Sequence, residues 1–289
     1  MPELPEVEVV KRSLANKVQN LIIKEVKIND GRLRYLIDRN KIRKIIGLKL
    51  EKIKRRSKFL LFFFNKNIVM LVHLGMTGKF FFVDQKKIKY KTSFYYALNE
   101  KKDEKHDRVV FFFNKNKKLI YNDIRKFGFI KFFYKDNINN NLHLYKLGPE
   151  PLEKNFKFIY FKKYIIGRNR LIKDILMDQK FLSGLGNIYA NEILFLSKVQ
   201  PARKVNKLEN FELKKLIKFT KKVLKQAIKF GGSSIKDFSS SNGKKGLFQQ
   251  HFRVYGKKGE SCSNTNCKSK IERTIISSRA TFYCPKCQK

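Results

Sequence analysis

The chain has 289 residues, of which 42% are hydrophobic, which is enough for two or three domains with their own cores and excludes a wholly disordered protein. Lys and Arg number 66 against 24 Asp and Glu, a formal net charge of +42 that suits a nucleic acid or an anionic membrane surface, although an AT-rich genome also favours Lys, Asn, Ile and Phe. No apolar run approaches the roughly 20 residues that a membrane helix needs, and the acidic start MPELPEVE is unlike a secretory signal, so we expect a soluble, cytoplasmic protein.

The first predicted element is a helix from about Pro5 to Asn16, in which Val7, Val10 and Leu14 recur at helical spacing. From Leu21 to Tyr134, short runs of β-branched and aromatic residues alternate with polar turns, which predicts an antiparallel sandwich or barrel. The run FFFNKN occurs twice in this region, and an apolar strand follows each copy. We therefore expect two hairpins there.

A domain boundary is predicted at LGPEPL, residues 147–152, because a Gly and two prolines follow an Asn-rich stretch. Helices follow the boundary, and one of them carries a continuous apolar face from Leu213 to Ile228 before Gly231 and Gly232 end it. A loop rich in Gly, Ser and Lys then runs to Leu247, and a short basic tail occupies residues 248–289.

All four cysteines lie in that tail, which predicts one local metal site and argues against a disulfide framework. Their spacing is C-x4-C, a gap of 16 residues and then C-x2-C, and four thiolates so spaced can close a tetrahedral zinc shell. The ligands are Cys262, Cys267, Cys284 and Cys287. Because so small a tail has little core, one structural Zn²⁺ would supply its folding energy.

The second residue is a candidate nucleophile. Removal of Met1 before a small residue would leave Pro2 as a secondary amine, and a backbone amine has a pKa near 8, so a useful fraction is neutral at physiological pH. Condensation of this amine with a sugar aldehyde carbon gives an iminium cation that can drive elimination of the neighbouring phosphate. Glu3 could protonate the sugar ring oxygen or carry protons if burial raises its pKa.

Six segments lie in order along the whole chain: PELPEVE (2–8), RRSKFLL (55–61), HLGMTG (73–78), DIRKFG (123–128), LMDQKFLSGLGNIYANE (176–192) and TFYCPKCQK (281–289). Together they resemble the formamidopyrimidine-DNA glycosylase family. The resemblance implies a bifunctional DNA glycosylase and abasic-site lyase of base excision repair. Its N-terminal proline attacks the deoxyribose C1′ of an oxidised purine nucleotide, releases the base and cuts the strand by β- and δ-elimination.

The resemblance also implies roles for individual residues. Pro2 would be the Schiff-base nucleophile, Glu3 the acid and base, Lys58 a proton donor near the scissile phosphate, and Arg279 an arginine that grips the phosphates and assists the second elimination. The wedge that enters the duplex where the base leaves would consist of Met76, Arg125 and Phe127. Contacts with the DNA backbone or the lesion pocket would come from His73, His106, Arg168, Lys173 and Asn187.

The fold that the resemblance implies is α+β and multidomain. Residues 1–146 would form a catalytic N-terminal helix plus an antiparallel β-sandwich, and residues 147–232 a helix-two-turns-helix DNA-binding module. Residues 233–289 would form a lesion-capping loop and a zinc-finger β-hairpin. We expect a monomer that acts on double-stranded DNA with oxidised purines or abasic sites, in the cytoplasm of a bacterium and associated with its nucleoid.

Two features depart from the family pattern. The first cysteine pair is C-x4-C where C-x2-C is usual, and Asn191 stands where an acidic residue is common. Two alternative functions stay open: an endonuclease VIII-like glycosylase for oxidised pyrimidines, and an eroded zinc-containing protein that binds DNA without catalysis. The start PELPEVE and the segment GGSSIKDFSSSNGKKGLFQ, which resembles the lesion-capping loop, favour the purine enzyme.

Overall fold

The structure is a computed structural model, and it describes residues 1–84, 87–91, 103–233 and 248–289. It contains two compact units: residues 1–145 with 230–249 form unit 1, and residues 146–229 with 250–289 form unit 2. Most of the segment predicted as a lesion-capping loop, residues 234–247, lies outside the described residues. Within the described part of the chain, no helix has the length and apolar character needed to cross a bilayer.

Unit 1 consists of an N-terminal helix and two antiparallel sheets. Helix α1 spans Leu4–Val18, and a short helix α2 spans Arg39–Arg43. The strands are β1 (Ile23–Ile28), β2 (Leu50–Arg56), β3 (Phe59–Phe64), β4 (Ile68–His73), β5 (Lys79–Asp84), β6 (Lys87–Lys91), β7 (Asp107–Phe113), β8 (Lys117–Asn122) and β9 (Phe129–Tyr134). One sheet has the strand order β1-β7-β8-β5-β6 and the other β2-β3-β4-β9.

Both copies of FFFNKN form hairpins, as predicted. The first joins β3 to β4 and the second joins β7 to β8, and all four strands pair antiparallel. The turn residues Lys66, Asn67, Lys115 and Asn116 have positive φ, between 55° and 64°. Such backbone angles match the right-handed twist of a tight hairpin, and asparagine tolerates them better than most side chains do.

The two sheets of unit 1 share one apolar core, so the prediction of a sandwich with an N-terminal helix is confirmed. Phe62 of β3 and Phe80 of β5 come from different sheets, and their rings lie 6.0 Å apart. Val7, Val10 and Leu14 of α1 belong to the same cluster and are fully buried. Strands β3, β4, β5, β7, β8 and β9 present alternate side chains to this core, as the period of two requires.

Unit 2 combines four helices with a two-stranded hairpin. The helices are α3 (Phe158–Ile165), α4 (Ile172–Met177), α5 (Asn187–Ser197) and α6 (Asn210–Lys229), and the strands are β10 (Glu272–Ile276) and β11 (Arg279–Tyr283). Nearly every residue of α5 is buried, whereas α6 buries one apolar face and exposes a row of lysines. The predicted helical module and C-terminal hairpin are therefore both present.

Glycines let two loops of unit 1 pack backbone against backbone. These loops are residues 74–78, between β4 and β5, and residues 123–128, between β8 and β9. A Cβ on Gly75 would lie 2.4 Å from the Gly128 nitrogen, and a Cβ on Gly78 would lie 2.3 Å from the Leu74 carbonyl oxygen. Real Cβ atoms do not approach so closely, so glycine at 75 lets the two loops meet, and glycine at 78 lets the first loop close on itself.

We expect Gly128→Ala to lower the free energy of unfolding by about 3 kcal/mol, because the new methyl group would overpack a rigid site. Its Cβ would lie 1.9 Å from the Tyr121 hydroxyl oxygen and 2.7 Å from the His73 carbonyl oxygen. Gly31→Ala is the matched control, since the nearest atom to its Cβ would be 3.6 Å away. Urea unfolding of both variants measures the difference, and equal stability would contradict the packing argument.

Candidate functional site

Pro2 and Glu3, which directly precede α1, are both buried. Glu3 is 4% exposed. Glu3 caps the helix in a reciprocal arrangement, in which the Glu6 carboxylate accepts a hydrogen bond from the Glu3 backbone N–H at 2.9 Å. Two of the orphan N–H groups of the helix are satisfied in this way, and the backbone next to Pro2 is held in one conformation.

Glu6 also binds a segment distant in sequence. Its second carboxylate oxygen accepts hydrogen bonds from the backbone N–H of Ser233 at 2.7 Å and from its hydroxyl at 2.8 Å. Gly232 precedes with a φ of +84°, and a Cβ there would lie 3.1 Å from the same carboxylate. Sequence analysis did not select Glu6. The E-x-x-E spacing at Glu3 predicts a capping box, but nothing in the sequence links Glu6 to Ser233.

Charged groups surround the chain start. Burial lowers the pKa of the Met1 α-amino group below its usual value, and Glu3 opposes this shift. The positive charges of Lys58 and Arg125 lower the pKa further. The structure therefore brings together Glu3, Lys58 and Arg125, three of the residues selected from the sequence. Glu3 and Arg125 are 122 positions apart in the chain. An amine in these surroundings is neutral over more of the physiological pH range than a free one.

Lys58 lies in the tight turn between β2 and β3 and is 7% exposed. The preceding Ser57 has a φ of +55°, and its carbonyl accepts a hydrogen bond from the Arg55 guanidinium at 2.9 Å. Arg55 in turn donates to the Glu8 carboxylate at 3.1 Å. This chain of contacts links the turn to α1, so that the position of Lys58 depends on the helix that carries Glu3.

A buried carboxylate organises the two glycine loops. Asp123 is fully buried, and its oxygens accept hydrogen bonds from the Thr77 hydroxyl and from the Gly128 backbone N–H at 2.8 Å. The Thr77 oxygen accepts a further bond from the Arg125 backbone N–H at 3.0 Å. Both loops are thus held by one acidic side chain at their centre.

This arrangement brings three side chains together at the surface: Arg125 and Phe127 are exposed, and Met76 is half-buried. The Arg125 guanidinium lies 3.2 Å from the Met76 sulfur and 4.6 Å from the centre of the Phe127 ring. Phe127 is 46% exposed although it is a large apolar side chain. The Arg125 guanidinium stacked on its ring forms a cation–π contact. The structure therefore brings together the three residues selected as a wedge.

The two selected histidines differ in their surroundings. His73 is 8% exposed, stacks on Phe129 and accepts a hydrogen bond on Nδ1 from the Gly75 backbone N–H at 3.1 Å. Burial, followed by the charges of Lys58 and Arg34, lowers the pKa of His73 to about 4, so its ring is neutral. His106 is half-buried, and its Nδ1 lies 3.1 Å from the Arg108 guanidinium.

Arg34 is a residue that sequence analysis missed. Its side chain is exposed, its charge acts on His73, and its backbone N–H donates to the Gly128 carbonyl at 3.0 Å. It therefore lies beside the glycine loops although it comes from the segment after β1. One more arginine among 66 basic residues carries no signal in the sequence, so only the fold could identify it.

In unit 2, Lys173 and Asn187 meet beneath the hairpin. Lys173 is fully buried, and its ammonium donates to the Thr281 hydroxyl at 2.6 Å and lies 3.4 Å from the Ala280 carbonyl oxygen. The Asn187 amide donates to that same carbonyl at 2.9 Å. Burial lowers the pKa of Lys173 to about 8, and the nearby Arg279 acts in the same direction while Asp174 opposes it.

The hairpin presents Arg279 at its tip. Ser277 and Ser278 form the turn with positive φ values of 48° and 60°, and Arg279 is exposed. Asn191 of α5 holds the far strand, since its side-chain oxygen accepts the Phe282 backbone N–H at 2.7 Å. An amide in place of the more usual acid at this position can therefore still anchor the hairpin.

Arg168 and Glu192 of unit 2 differ in burial. Arg168 follows α3, is exposed, and lies 4.3 Å above the ring of Tyr164, to whose carbonyl it donates at 2.5 Å. Glu192, which sequence analysis did not select, is buried and accepts the backbone N–H groups of residues 253–255 at 2.8 to 3.0 Å. Burial raises the pKa of Glu192, and those three bonds oppose the shift.

The four cysteine sulfurs lie within 4.8 Å of one another, and none forms a disulfide. Two of the separations are 3.8 Å, between Cys262 and Cys287, and 3.6 Å, between Cys267 and Cys284. A tetrahedral metal with sulfur ligands at about 2.3 Å places the sulfurs about 3.8 Å apart. The donor set and its spacing therefore fit one metal ion.

Comparison with known proteins identifies close relatives of this chain. Residues 1–130 match the formamidopyrimidine-DNA glycosylase N-terminal domain, and residues 147–239 match the formamidopyrimidine-DNA glycosylase H2TH domain. Proteins named formamidopyrimidine-DNA glycosylase from Rickettsia bellii and Roseobacter denitrificans are 38% and 36% identical to it, and each alignment covers both chains completely.

Solved structures of a bacterial protein share the fold over the full length. A variant of Lactococcus lactis Fpg in complex with DNA that contains Fapy-dG is 31% identical, covers 100% of both chains and has a TM-score of 0.86. The Lactococcus lactis Fpg in complex with DNA that contains an abasic site is 31% identical, covers 99% of both chains and has a TM-score of 0.85.

The buried neutral His73 predicts a pH dependence of stability. Its pKa is about 4 in the folded chain and 6.5 when unfolded, so between these values the unfolded state binds the extra proton and the free energy of unfolding falls as the pH falls. From pH 7 to pH 5 this loss is about 2 kcal/mol. We expect His73→Gln, which keeps an acceptor for Gly75, to lose less stability over that interval in urea unfolding. An equal loss would contradict the assignment.

Proposed function

The chain belongs to the formamidopyrimidine-DNA glycosylase family, and we propose that it excises oxidised purines, such as 8-oxoguanine and formamidopyrimidines, from duplex DNA and then cuts the strand at the abasic site. The observation that carries this proposal is the buried start of α1. There Pro2 and Glu3 are buried, and Lys58 and Arg125 lie near enough to lower the pKa of the adjoining Met1 α-amino group. These are the groups that amine catalysis on a sugar phosphate needs.

The proposed reaction begins when Met1 is removed and the Pro2 nitrogen becomes a secondary amine. Its lone pair forms a bond to the deoxyribose C1′, the bond from C1′ to the base breaks, and the base leaves with a proton. Glu3 is well placed to donate a proton to the sugar ring oxygen, which opens the ring and gives an iminium ion on the Pro2 nitrogen. Supporting this role, Glu3 is buried directly beside Pro2.

Strand cleavage then follows from the iminium ion. The cation acidifies C2′, so that loss of a proton there expels the 3′ phosphate, and a second elimination expels the 5′ phosphate. Lys58 carries the proton or the positive charge near the scissile phosphate, and Arg279 stabilises the second leaving phosphate. The burial of Lys58 and the exposure of Arg279 at a turn held by two positive φ residues support these roles.

Base removal requires the nucleotide to leave the helix, which costs a few kcal/mol of stacking and pairing. We propose that Met76, Arg125 and Phe127 fill the gap, with Arg125 donating to the orphaned cytosine. The support is their mutual contact and the exposure of Phe127, which is held ready by Asp123 and the glycine loops. A preorganised wedge loses little conformational entropy on insertion.

Contacts with the DNA backbone are proposed for His73, His106, Arg168, Lys173 and Asn187. The buried Lys173 and the half-buried Asn187 both contact the Ala280 carbonyl, so they also support the strand that carries Arg279. The net charge of +42 favours binding by counterion release. The substrate would place this monomeric enzyme at the nucleoid, in the bacterial cytoplasm.

We propose Zn²⁺ as the metal of the cysteine cluster, because four thiolates with tetrahedral spacing favour zinc. When bound, the ion crosslinks the two ends of a tail that has little apolar core. The domain division proposed from the sequence, with boundaries at residues 146 and 232, assigns the catalytic, helical and zinc-finger functions to successive parts of the chain.

Borohydride trapping tests the proposed chemistry. With a duplex that carries one 8-oxoguanine opposite cytosine, we expect a covalent adduct on a peptide that begins at Pro2, together with a cleaved strand. Pro2→Glu should retain Met1, because the new residue is large, and should give no adduct while still binding the duplex. The adduct is located by peptide mass.

The other outcomes of this experiment separate the alternatives. Trapping on an oxidised-pyrimidine duplex and not on 8-oxoguanine would favour the endonuclease VIII-like activity. Tight binding of both duplexes by correctly processed protein, without adduct or cleavage, would mean that this is a DNA-binding protein without catalysis.

The wedge predicts a selective defect. We expect Phe127→Ala to reduce excision of 8-oxoguanine from duplex DNA about tenfold, which corresponds to about 1.4 kcal/mol of lost stabilisation of the flipped state. Cleavage at a preformed abasic site should fall less, because no base must leave the stack. Phe211→Ala is the control, since Phe211 is 51% exposed and belongs to α6. Equal defects on both substrates, or in both variants, would exclude a wedge role.

A further inference from the structure

The loop between the first two cysteines is a closed turn. Its sequence is CSNTNC, and the Cys267 backbone N–H donates to the Asn264 carbonyl at 3.0 Å. The spacing is two residues longer than the C-x2-C of the second pair. A longer loop has more conformations in the unfolded chain, although this entropy grows slowly with length. The extra residues therefore have to be held by additional contacts if the sulfurs are to keep their places.

Asn264 supplies such contacts to both cysteine pairs. Its backbone carbonyl accepts a hydrogen bond from the Cys267 N–H at 3.0 Å, and its side-chain amide donates to the Cys287 sulfur at 3.1 Å. The Cys262 and Cys287 sulfurs lie 3.8 Å apart. A single residue of the inserted loop thus links one cysteine of the first pair to one cysteine of the second.

We propose that Asn264 is a positioning residue of the metal centre, whose side-chain amide stabilises the Cys287 thiolate and joins the long first loop to the second cysteine pair. This inference rests on the proposed zinc site. The longer C-x4-C loop thus supplies a residue, Asn264, that contacts a metal ligand of the second pair.

The charge of the site explains why a donor is favoured here. Four thiolates around one Zn²⁺ leave a net charge of −2, and a hydrogen bond to a charged acceptor is about twice as strong as one between neutral groups. Asn264 is half-buried, so water competes only in part for the sulfur. Removal of a group that hydrogen-bonds to a metal ligand typically lowers metal affinity 10- to 100-fold.

The competing explanation is that Asn264 serves only the turn, since asparagine is common in turns for reasons unrelated to metals. Aspartate distinguishes the two. It has the same size and a similar turn preference, but its carboxylate accepts hydrogen bonds and carries a negative charge towards the thiolate. A turn role predicts that Asn264→Asp keeps the metal affinity, whereas the proposed role predicts a loss larger than that of Asn264→Ala.

The experiment measures metal affinity of the full-length chain by competition with a chromogenic zinc chelator, without DNA. We expect Asn264→Ala to bind Zn²⁺ about 10- to 100-fold more weakly than wild type and Asn264→Asp more weakly still. Asn266→Ala is the matched control, because Asn266 is exposed in the same loop. With Co²⁺ as the probe, Asn264→Ala should keep the tetrahedral absorption bands but shift the sulfur-to-metal charge-transfer band to lower energy, since the thiolate becomes richer in electrons.

The outcomes separate this inference from the zinc proposal. A wild-type chain that binds no zinc would overturn the proposed site and the inference with it. A wild type that binds zinc, with all three variants of equal affinity, would overturn the role of Asn264 alone. If Asn264→Ala does not fold, the zinc affinity of Asn264→Asp is the deciding measurement. Wild-type zinc affinity in Asn264→Asp would exclude the proposed positioning role of Asn264.

Discussion

The hydrogen bond between the Glu3 backbone and the Glu6 carboxylate fixes where helix α1 begins. Glu6 also accepts a hydrogen bond from Ser233. The segment that precedes the helix is thereby held in one place, and the Met1 α-amino group lies partly buried near Lys58 and Arg125. An amine at the end of a chain would otherwise be solvated and mobile, and it would have the pKa of a free amine. The chemistry proposed here depends on that restriction.

The second constraint is close backbone contact between two loops. Asp123 satisfies donors from both loops, and glycine at 75 removes the Cβ that would clash with the Gly128 backbone. A fully buried carboxylate is stable only when its oxygens are hydrogen-bonded, and here each has a partner. Rigid loops in turn keep Met76, Arg125 and Phe127 in contact at the surface. Exposure of an apolar ring is thus maintained by polar groups beneath it.

In unit 2 the hairpin is anchored from two directions. Side chains of α4 and α5 bind Ala280, Thr281 and Phe282, and the cysteine cluster closes the other end. The buried Lys173 is one of these side chains. Burial lowers the pKa of Lys173 more than the nearby Asp174 raises it. The exposed Arg279 therefore sits on a strand whose backbone has little freedom. Preorganisation of this kind favours tight binding of phosphate.

The sequence by itself determined the local features of this protein: the α1 helix, the two FFFNKN hairpins, the sandwich and the spacing of the four cysteines. It also selected Pro2, Glu3, Lys58 and three proposed wedge residues as candidates. Each of these depends on period, turn chemistry or motif, which are properties of neighbouring residues. Only the tertiary structure decided that Glu6 binds Ser233, that Arg34 lies beside His73, that Lys173 is buried and that Asn264 reaches Cys287. Those contacts join residues 23 to 227 positions apart, as between Asn264 and Cys287 and between Glu6 and Ser233. Distance in sequence leaves no periodic trace, so such pairs become visible only when packing has brought them together.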